Sequence, residues 1–332
     1  MEQTAQLPGN DRIVLFRNTA GNAGITEGIA EKDFWVCWTL NYLFHVSTWR
    51  SSFAFKGGTS LSKCFHLIRR FSEDIDLILD WRIVGCDICE PWIDRSRTQQ
   101  DRFNKAVNDR TACFLKEEII PEMDEYCRDN LKEEFRIYID PDDPLTVCFR
   151  YPRLFSEWSV LPVIRLEIGT LAGWTPTQEA VITPFAAEQY PHVFRHPSAA
   201  IRTVSPERSF WEKAVILHKE AFRRDNRVPH RYSRHYYDLW CMADSSVKKK
   251  AYSDLLLLKR VTAFCDRFYH SEFAHYDLAK PGTMRLMPPE HSRRILQADY
   301  DHMKNMIYGR VPDLSEILLS VQSLETEINQ LI

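Results

Sequence analysis

The sequence lacks the features of several protein classes. Its 332 residues contain no uninterrupted apolar run near the roughly 18 residues that a membrane-spanning helix needs. The polar N-terminus, residues 1–12, has no apolar core of the signal-peptide kind. We therefore expect no membrane segment and a cytoplasmic location. With 43 Lys and Arg against 46 Asp and Glu, the net charge of −3 gives no general nucleic-acid signature, so any RNA contact must come from local patches.

The sequence also lacks a second half for a zinc site. Cys86 and Cys89 form a CxxC, but there is no second CxxC, and His192 and His196 lie far beyond the short gap of a zinc finger. Many of the other cysteines, Cys37 for example, have apolar or aromatic neighbours, which is typical of small buried side chains. We interpret the CxxC as structural or incidental rather than as a metal site.

The order of predicted elements favours an α+β fold. A helix is predicted over about residues 27–46 and another over 102–130 with a break near Pro121. After about residue 197 the pattern is helical. We expect a core lobe at 1–190 that contains a small mixed sheet flanked by helices, and a C-terminal helical lobe at 191–332. Strands are predicted at 53–55, 75–79, 134–139, 145–150 and 163–168.

The most informative segment runs from Ala54 to Leu79, AFKGGTSLSKCFHLIRRFSEDIDLIL. We interpret it as a strand, a glycine turn, a helix near residues 61–69 and a second strand. Asp74 and Asp76 lie two residues apart on that second strand, so both carboxylates point to one face. They would repel each other without a cation between them, and Mg²⁺ with a bound triphosphate suits the position. The turn offers backbone N–H groups to phosphates, through Gly57, Gly58, Thr59 and Ser60.

This unit resembles the signature of the polymerase-beta-like nucleotidyltransferase superfold. The fuller string KGGTSLSK…RFSEDIDL resembles, more narrowly, the AbiEii/AbiGii toxin family of bacterial nucleotidyltransferases from abortive-infection and toxin–antitoxin systems. Three further segments resemble that family in the same order: Glu31 to Phe44, Phe210 to Lys219 and Arg234 to Trp240. The resemblance implies a nucleotidyltransferase-type core lobe and a helical lobe that completes the active-site cleft.

Glu167 is the predicted third acid of this site. Two divalent ions held about 3.5–4 Å apart by carboxylates, Mg²⁺ or Mn²⁺, activate an attacking hydroxyl and stabilise the leaving oxygen. Glu167 lies in a strand among apolar residues, VIRLEIG, where an unpaired charge is costly. The alternative is an ion pair with Arg165, two residues earlier on the same face. We predict that Asp74, Asp76 and Glu167 bind the metal, with Glu in place of Asp as the third acid.

Lys213 and Asp238 are the predicted site residues of the helical lobe. Lys213 lies at the flank of the apolar stripe of SFWEKAVILHKEAF, which suits a snorkelling lysine as well as a triphosphate ligand. The family resemblance favours the nucleotide contact. Asp238 is flanked by aromatic residues in HYYDLW; it either pairs with Lys213 or acts as a base near the acceptor hydroxyl.

An arginine-rich segment separates these two motifs. Its tyrosines alternate with cations, a combination that suits an RNA end or a triphosphate, while the alternative is a solvated basic loop. We predict an acceptor contact there, made by Arg223, Arg224, Arg227, Arg231 and Arg234.

Some residues near the glycine turn have less definite roles. Lys63 lies on the helix after the turn and is included among the nucleotide-binding candidates, although surface lysines are common. Ser72 either bonds a phosphate or caps a turn. Glu73 is expected to be solvated or paired with Arg69 or Arg70. For the adjacent Lys32 and Asp33, the main expectation is a structural ion pair at a helix interface.

The predicted function is that of a metal-dependent nucleotidyltransferase toxin. The resemblance implies an NTP substrate, an RNA acceptor such as the tRNA 3′ end, and an antitoxin partner. Two alternatives stay open: a protein nucleotidyltransferase that modifies Tyr, Ser or Thr of a partner, and a catalytically silent nucleotide-binding defence component. Intact Asp74 and Asp76 argue against the silent alternative.

Overall fold

A seven-stranded mixed sheet is the main feature of the computed structural model, which describes residues 1–72, 74–157, 161–225 and 227–331. The order within the sheet is β3-β4-β5-β2-β1-β7-β6. Strand β1 is antiparallel to β2 and parallel to β7, β2 is parallel to β5, and β4 is antiparallel to both β3 and β5. The strands are β1 (Phe53–Lys56), β2 (Asp74–Leu79), β3 (Arg136–Ile139), β4 (Thr146–Arg150), β5 (Ile164–Gly169), β6 (Thr177–Ile182) and β7 (Ala199–Val204).

The chain divides into two units. Unit 1 comprises Met1–Cys64 and Ser72–Thr203, and unit 2 comprises Phe65–Phe71 and Val204–Ile332. The boundary after Thr203 lies beyond the predicted boundary after residue 190, because β7 belongs to the sheet of unit 1. The five predicted strands are confirmed within two residues, whereas β6 and β7 were not predicted.

Helices flank the sheet of unit 1 and make up most of unit 2, so the predicted α+β class is confirmed. None of the described helices has the length and apolar character needed to cross a membrane. In unit 1 they are α1 (Glu2–Ala5), α2 (Gly9–Ala23), α3 (Glu27–Asn41), α4 (Gly57–Lys63), α5 (Arg97–Phe114), α6 (Ile120–Asn130) and α7 (Phe185–Gln189). In unit 2 they are α8 (Pro206–Ala221), α9 (Ser233–Ala243), α10 (Ser246–Ser253), α11 (Leu255–Phe268), α12 (Arg293–Met303) and α13 (Leu314–Asn329).

Helix α3 is the centre of the core of unit 1. Its Trp35 and Trp38 are fully buried, and both rings contact Phe149 of β4, with centroids 6.1 and 5.8 Å away. A π-helical turn, Tyr42–Val46, extends the helix, so the helix predicted over 27–46 is confirmed. Most faces of α3 are buried, whereas an amphipathic surface helix would bury only one stripe.

The helix predicted near residues 61–69 is wrong in its bounds. Helix α4 begins at Gly57, directly after β1, and ends at Lys63. The following segment is not helical, because its backbone pairs with a distant part of unit 2. Arg70 and Ile307 form an antiparallel bridge, and the N–H of Phe71 donates to the Met306 carbonyl at 2.8 Å. Segment 65–71 therefore belongs to unit 2 although both of its neighbours belong to unit 1.

Truncation of Trp38 tests the importance of the α3 core. We expect Trp38→Ala to lower the free energy of unfolding by about 3–5 kcal/mol, because a large buried ring leaves a cavity. Trp92→Ala, at an exposed tryptophan, is the control and should cost less than about 1 kcal/mol. Urea unfolding followed by far-UV circular dichroism measures both variants. Equal costs would contradict the assignment of α3 to the core.

Candidate active site

Two rows of polar side chains cross the sheet of unit 1. In the parallel pairing of β2 with β5, Asp76 lies opposite Glu167 and Asp74 lies opposite Arg165. Because paired residues of neighbouring strands project from the same face, the three acidic residues and Arg165 share one side of the sheet. Lys56 of β1 lies opposite Asp76 from the other side, so a second cation belongs to this face. The sequence pattern predicted the shared face of the two aspartates, and the strand register adds Glu167 to it.

Arg165 lies at ion-pair distance from two of these carboxylates. Its Nε lies 4.0 Å from Asp74 Oδ1 and 4.0 Å from Glu167 Oε1, while its Nη1 donates a hydrogen bond to Asp140. The backbone N–H of Asp142 and then the Arg165 guanidinium lower the pKa of Asp140 against the effect of burial. The argument from a buried, unpaired Glu167 is thus wrong, because its side chain is 44% exposed and lies at ion-pair distance from Arg165.

The carboxylates fit a divalent metal by their chemistry. Mg²⁺ and Mn²⁺ prefer oxygen ligands, and Asp74, Asp76 and Glu167 present only carboxylate oxygens on one face. Within the described residues, no three metal-binding side chains are grouped closely enough to surround an ion as they are placed here. Binding would therefore need the carboxylates to converge. The metal-binding roles of these three residues stay predictions.

The glycine turn is in direct contact with Asp76. Gly57 has φ +83°, which favours glycine, and a Cβ at this position would overlap the Asp76 carboxylate. The side chain of Lys56, the N-cap of α4, makes no capping hydrogen bond. The first-turn N–H groups of a helix have no intrahelical acceptors, which agrees with the phosphate site predicted at Gly57 and Gly58.

The hydroxyl groups of the turn are used internally. Thr59 Oγ1 donates to the Asp74 carbonyl at 2.6 Å, and Ser60 Oγ donates to the Gly57 carbonyl at 2.8 Å. Ser72, predicted to bond a phosphate or to cap a turn, accepts from Thr59 Oγ1 through its carbonyl at 3.3 Å. These bonds tie the turn to the start of β2, so a phosphate would be bound by backbone N–H groups rather than by these hydroxyls.

Lys63 has an internal role that the sequence did not indicate. Its Nζ lies 2.8 Å from Asp33 Oδ1 and 3.9 Å from the ring centroid of Phe185, and only 7% of its side chain is exposed. Burial opposes the charge of Lys63, but Asp33 more than offsets this and raises its pKa. Asp33 does form a buried ion pair, but its partner is Lys63 of α4. These contacts give no support to the predicted nucleotide contact of Lys63.

The other half of the Lys32–Asp33 pair has a different partner. Lys32 Nζ donates to the Leu161 carbonyl at 2.9 Å. Glu31, one residue earlier, accepts from the backbone N–H groups of Leu154 and Phe155 at 2.7 and 3.1 Å. The charged residues near the start of α3 thus hold loops of unit 1.

In unit 2, Asp238 is the centre of a buried ionic cluster. Arg70 donates to both of its oxygens, through Nε at 2.7 Å and Nη2 at 2.8 Å, and Lys213 Nζ lies 2.6 Å from Oδ2. The side chain of Asp238 is fully buried. The pairing with Lys213 that the sequence offered as one alternative is confirmed. Arg70 was not predicted here; it was expected beside Glu73, which lies outside the described residues.

The cluster has more positive than negative charge. Burial opposes the charge of Asp238, but Arg70 and then Lys213 hold its pKa below the usual range. Burial lowers the pKa of Lys213, and the neighbouring cations Arg70 and Arg234 lower it further against the effect of Asp238. Two cations on one carboxylate, with Arg234 nearby, leave an excess of positive charge that suits an additional anion. A fully buried carboxylate with both oxygens bonded is poorly suited to accept a proton.

The arginine-rich segment does not form a single patch. Arg223 pairs with Glu220 and lies 3.4 Å from Asp225, whereas Arg224 and Arg227 are exposed. Arg231 has φ +56°, and its backbone N–H donates to Asp299 at 2.7 Å. Arg234 is half-buried on α9. Of the five arginines predicted to contact the acceptor, the exposed Arg224 and Arg227 are therefore the most accessible to it.

Comparison with known proteins identifies a family. Residues 41–325 match the family described as nucleotidyl transferase AbiEii toxin of type IV toxin–antitoxin systems. No curated protein sequence gives a significant match. Among solved structures, JHP933 from Helicobacter pylori is similar with a TM-score of 0.42 and 14% identity, over 92% of this chain and 93% of that one. The nucleotidyltransferase toxin MenT4 from Mycobacterium tuberculosis gives 0.40 and 16%, over 96% of each chain.

Substitutions in the buried cluster test its charge balance. We expect Asp238→Asn to lower the free energy of unfolding by about 3–5 kcal/mol, because it leaves two buried cations without their anion. Arg70→Met should cost less, since Lys213 still neutralises Asp238. Arg82→Met removes an exposed partner of Asp80 and is the control, with little expected effect. Urea unfolding measures all three, and a cost for Asp238→Asn no larger than for Arg82→Met would contradict the cluster.

The stability difference between the wild type and Asp238→Asn should depend on pH. Because the pKa of Asp238 is lowered in the folded chain, its contribution to stability is fully present above the ordinary carboxyl value of about 3.9. The contribution is lost as the pH falls through the lowered folded-state value. The difference between the wild type and Asp238→Asn should therefore shrink in acid and be constant at weakly acidic to neutral pH.

Proposed function

Since the chain belongs to the AbiEii family of nucleotidyltransferase toxins, we propose that it transfers a nucleoside monophosphate from an NTP to an RNA acceptor, the tRNA 3′ end, in a reaction that depends on Mg²⁺. The family is part of type IV toxin–antitoxin systems, which implies an antitoxin partner. The cytoplasmic location of tRNA and NTPs makes a cytoplasmic site of action part of the proposal.

The observation that best supports this proposal is the contact of the glycine turn with Asp76. The turn leaves backbone N–H groups at the start of α4, and the Asp76 carboxylate lies where any side chain at Gly57 would be. A nucleotidyltransferase needs phosphate binding and metal binding side by side, because both act on the same triphosphate. The close approach of Gly57 to the Asp76 carboxylate supports such an arrangement in this chain.

The proposed roles follow from this arrangement. The first-turn N–H groups of Gly57 and Gly58 bind phosphate oxygens. Asp74, Asp76 and Glu167 are the residues that would hold Mg²⁺, which would supply positive charge to the triphosphate and would lower the pKa of an attacking hydroxyl. Arg165 stays hydrogen-bonded to Asp140 and balances the charge of the acidic face. Lys213 binds the triphosphate, a role that the excess positive charge of its cluster supports.

For Asp238 we propose orientation rather than proton transfer. Its two oxygens are occupied by Arg70 and Lys213, and its pKa is lowered, so it holds the lysine ammonium in place and does not act as the base. A general base must be within hydrogen-bond reach of the proton that it accepts. The acceptor-activating role predicted from the sequence would require Asp238 to leave both cations.

The activity is tested directly with labelled nucleotides. Purified protein, Mg²⁺ and total bacterial RNA are incubated with each α-³²P-labelled NTP. We expect label in tRNA-sized RNA with the intact chain and none with Asp76→Ala, because the metal site loses a carboxylate. Asp109→Ala, at an exposed aspartate of α5, should retain full activity. Label that is sensitive to protease instead of RNase would replace RNA by a protein acceptor, and NTP binding without any label would favour a silent nucleotide-binding component.

The role of Glu167 is tested by metal binding, independently of turnover. We expect Glu167→Gln to weaken Mn²⁺ binding about tenfold or more, since the site loses one of three charged oxygen ligands. Glu179→Gln changes an exposed glutamate of β6 in the same sheet and should leave binding unchanged. Electron paramagnetic resonance of free Mn²⁺ gives both affinities. Unchanged binding in Glu167→Gln would leave Glu167 as a partner of Arg165 alone.

A further inference from the structure

Unit 2 has a surface on which two aromatic rings lie against basic side chains. The surface is formed by the end of α8, the turn after residue 271 and the loop before α12. We call it the aromatic–basic surface, and it consists of Lys219, Phe222, Arg223, Phe273, His275 and Arg285.

Each ring of this surface has two basic neighbours. The Arg285 guanidinium lies 4.7 Å from the Phe222 centroid, and the His275 ring lies 4.6 Å from it. Phe273 has Arg223 at 4.5 Å and the Lys219 ammonium at 5.5 Å. Both phenylalanines are half-buried, whereas His275 and Arg285 are exposed. The His275 ring is tilted by 50° to the Phe222 ring, and the planar groups of His275 and Arg285 are on exposed residues beside it.

A buried histidine holds the two exposed residues in place. His218 Nε2 is 3.0 Å from the His275 carbonyl, and its Nδ1 accepts from the Arg285 N–H at 3.0 Å. Because Nδ1 accepts, the proton of the neutral ring is on Nε2, which donates to the carbonyl. One side chain thus fixes two segments that are distant in sequence, and the surface is built from the interior rather than from mobile surface residues.

The backbone at His275 is held in an uncommon conformation. His275 has φ +46°, in the left-handed region that favours glycine. Such a conformation persists in a larger residue where the surrounding contacts determine it, and these positions are frequent at binding sites. The imidazole is thereby directed against Phe222.

The charge of the surface is only partly balanced. Arg223 is paired with Glu220 and Asp225. For Lys219 and Arg285, no carboxylate of the described residues lies at ion-pair distance. The surface therefore offers two cations for phosphates and planar groups for bases.

We propose that the aromatic–basic surface binds unpaired nucleotides of the RNA acceptor. Bases stack on arginine planes and aromatic rings without sequence preference, while phosphates need uncompensated cations. In a paired duplex the bases are stacked on each other, so their faces cannot stack on these side chains. This inference rests on the RNA acceptor proposed above, and it assigns the RNA-binding contact to residues other than most of the predicted arginines.

The test uses RNA binding by the full chain with the Asp76→Ala substitution, so that no turnover occurs. Fluorescence anisotropy gives the Kd for labelled deacylated tRNA, an unpaired oligonucleotide and a blunt duplex at several salt concentrations. We expect Lys219→Gln with Arg285→Gln to weaken binding of the unpaired strand about tenfold or more. The slope of log Kd against log salt should fall by about 0.7 for each phosphate that the variant no longer neutralises.

Two further variants separate the contributions. Phe222→Leu removes the ring without changing the charge. It should therefore weaken binding of the unpaired strand and leave the slope of log Kd against log salt unchanged. Lys105→Gln with Arg128→Gln removes one exposed lysine and one exposed arginine of unit 1, and it is the charge-matched control with no expected effect. Unfolding midpoints like that of the wild type show that each variant is folded.

The outcomes distinguish this inference from the proposed activity. Wild-type affinity in both surface variants, or equal binding of duplex and unpaired strand, overturns the inference even if labelled nucleotide enters RNA. Weakened binding of the unpaired strand in the surface variants supports RNA binding at this surface. If label then enters protein only, the proposed acceptor fails, and with it the assignment of the bound RNA as the acceptor.

Discussion

The close approach of Gly57 to Asp76 is the contact on which the proposed site depends. A positive φ at Gly57 allows α4 to begin directly at the end of β1, and the missing Cβ leaves room for the carboxylate of β2. Thr59 then ties the first turn of α4 to the backbone of Asp74. Any larger residue at position 57 would strain the turn and would also displace the Asp76 carboxylate. The phosphate binding and the metal binding that we propose would thus both depend on this contact.

Arginine balances the acidic groups in both units, in two different ways. On the sheet of unit 1, Arg165 lies half-exposed beside Asp74 and Glu167 and is bonded to Asp140, so this acidic face is open to solvent. In unit 2, Arg70 binds both oxygens of a fully buried Asp238. A buried pair of this kind is costly to break but adds little stability compared with apolar packing. Asp238 also fixes the position of the Lys213 ammonium, 2.6 Å from its Oδ2.

The sequence patterns predicted the elements that are determined by residues close together in the chain. The glycine turn, the facing aspartates, α3 and five strands follow from spacing and propensity alone. The helix expected near residues 61–69 failed because segment 65–71 satisfies its backbone against Met306 and Ile307, far along the chain. Strands β6 and β7 were missed because β6 is largely exposed and polar, and β7 is placed by its pairing with β1. The bonds of Arg70 to Asp238 join residues far apart in the chain, so no local pattern indicates them.

The number of basic residues in a segment does not give the positive charge that the folded protein presents on its surface. The densest arginine segment supplies Arg223, which two carboxylates neutralise, and Arg231, whose backbone N–H is bonded to Asp299. Lys219 lies just before that arginine segment, whereas Arg285 is far along the chain. Only the fold brings Arg285 beside Phe222 and Phe273 beside Lys219. The proposed RNA contact in a protein with a net charge of −3 thus depends on a few cations that lie away from its carboxylates. The ion pairs of the structure indicate such a surface, whereas composition and net charge do not show which cations lie near a carboxylate.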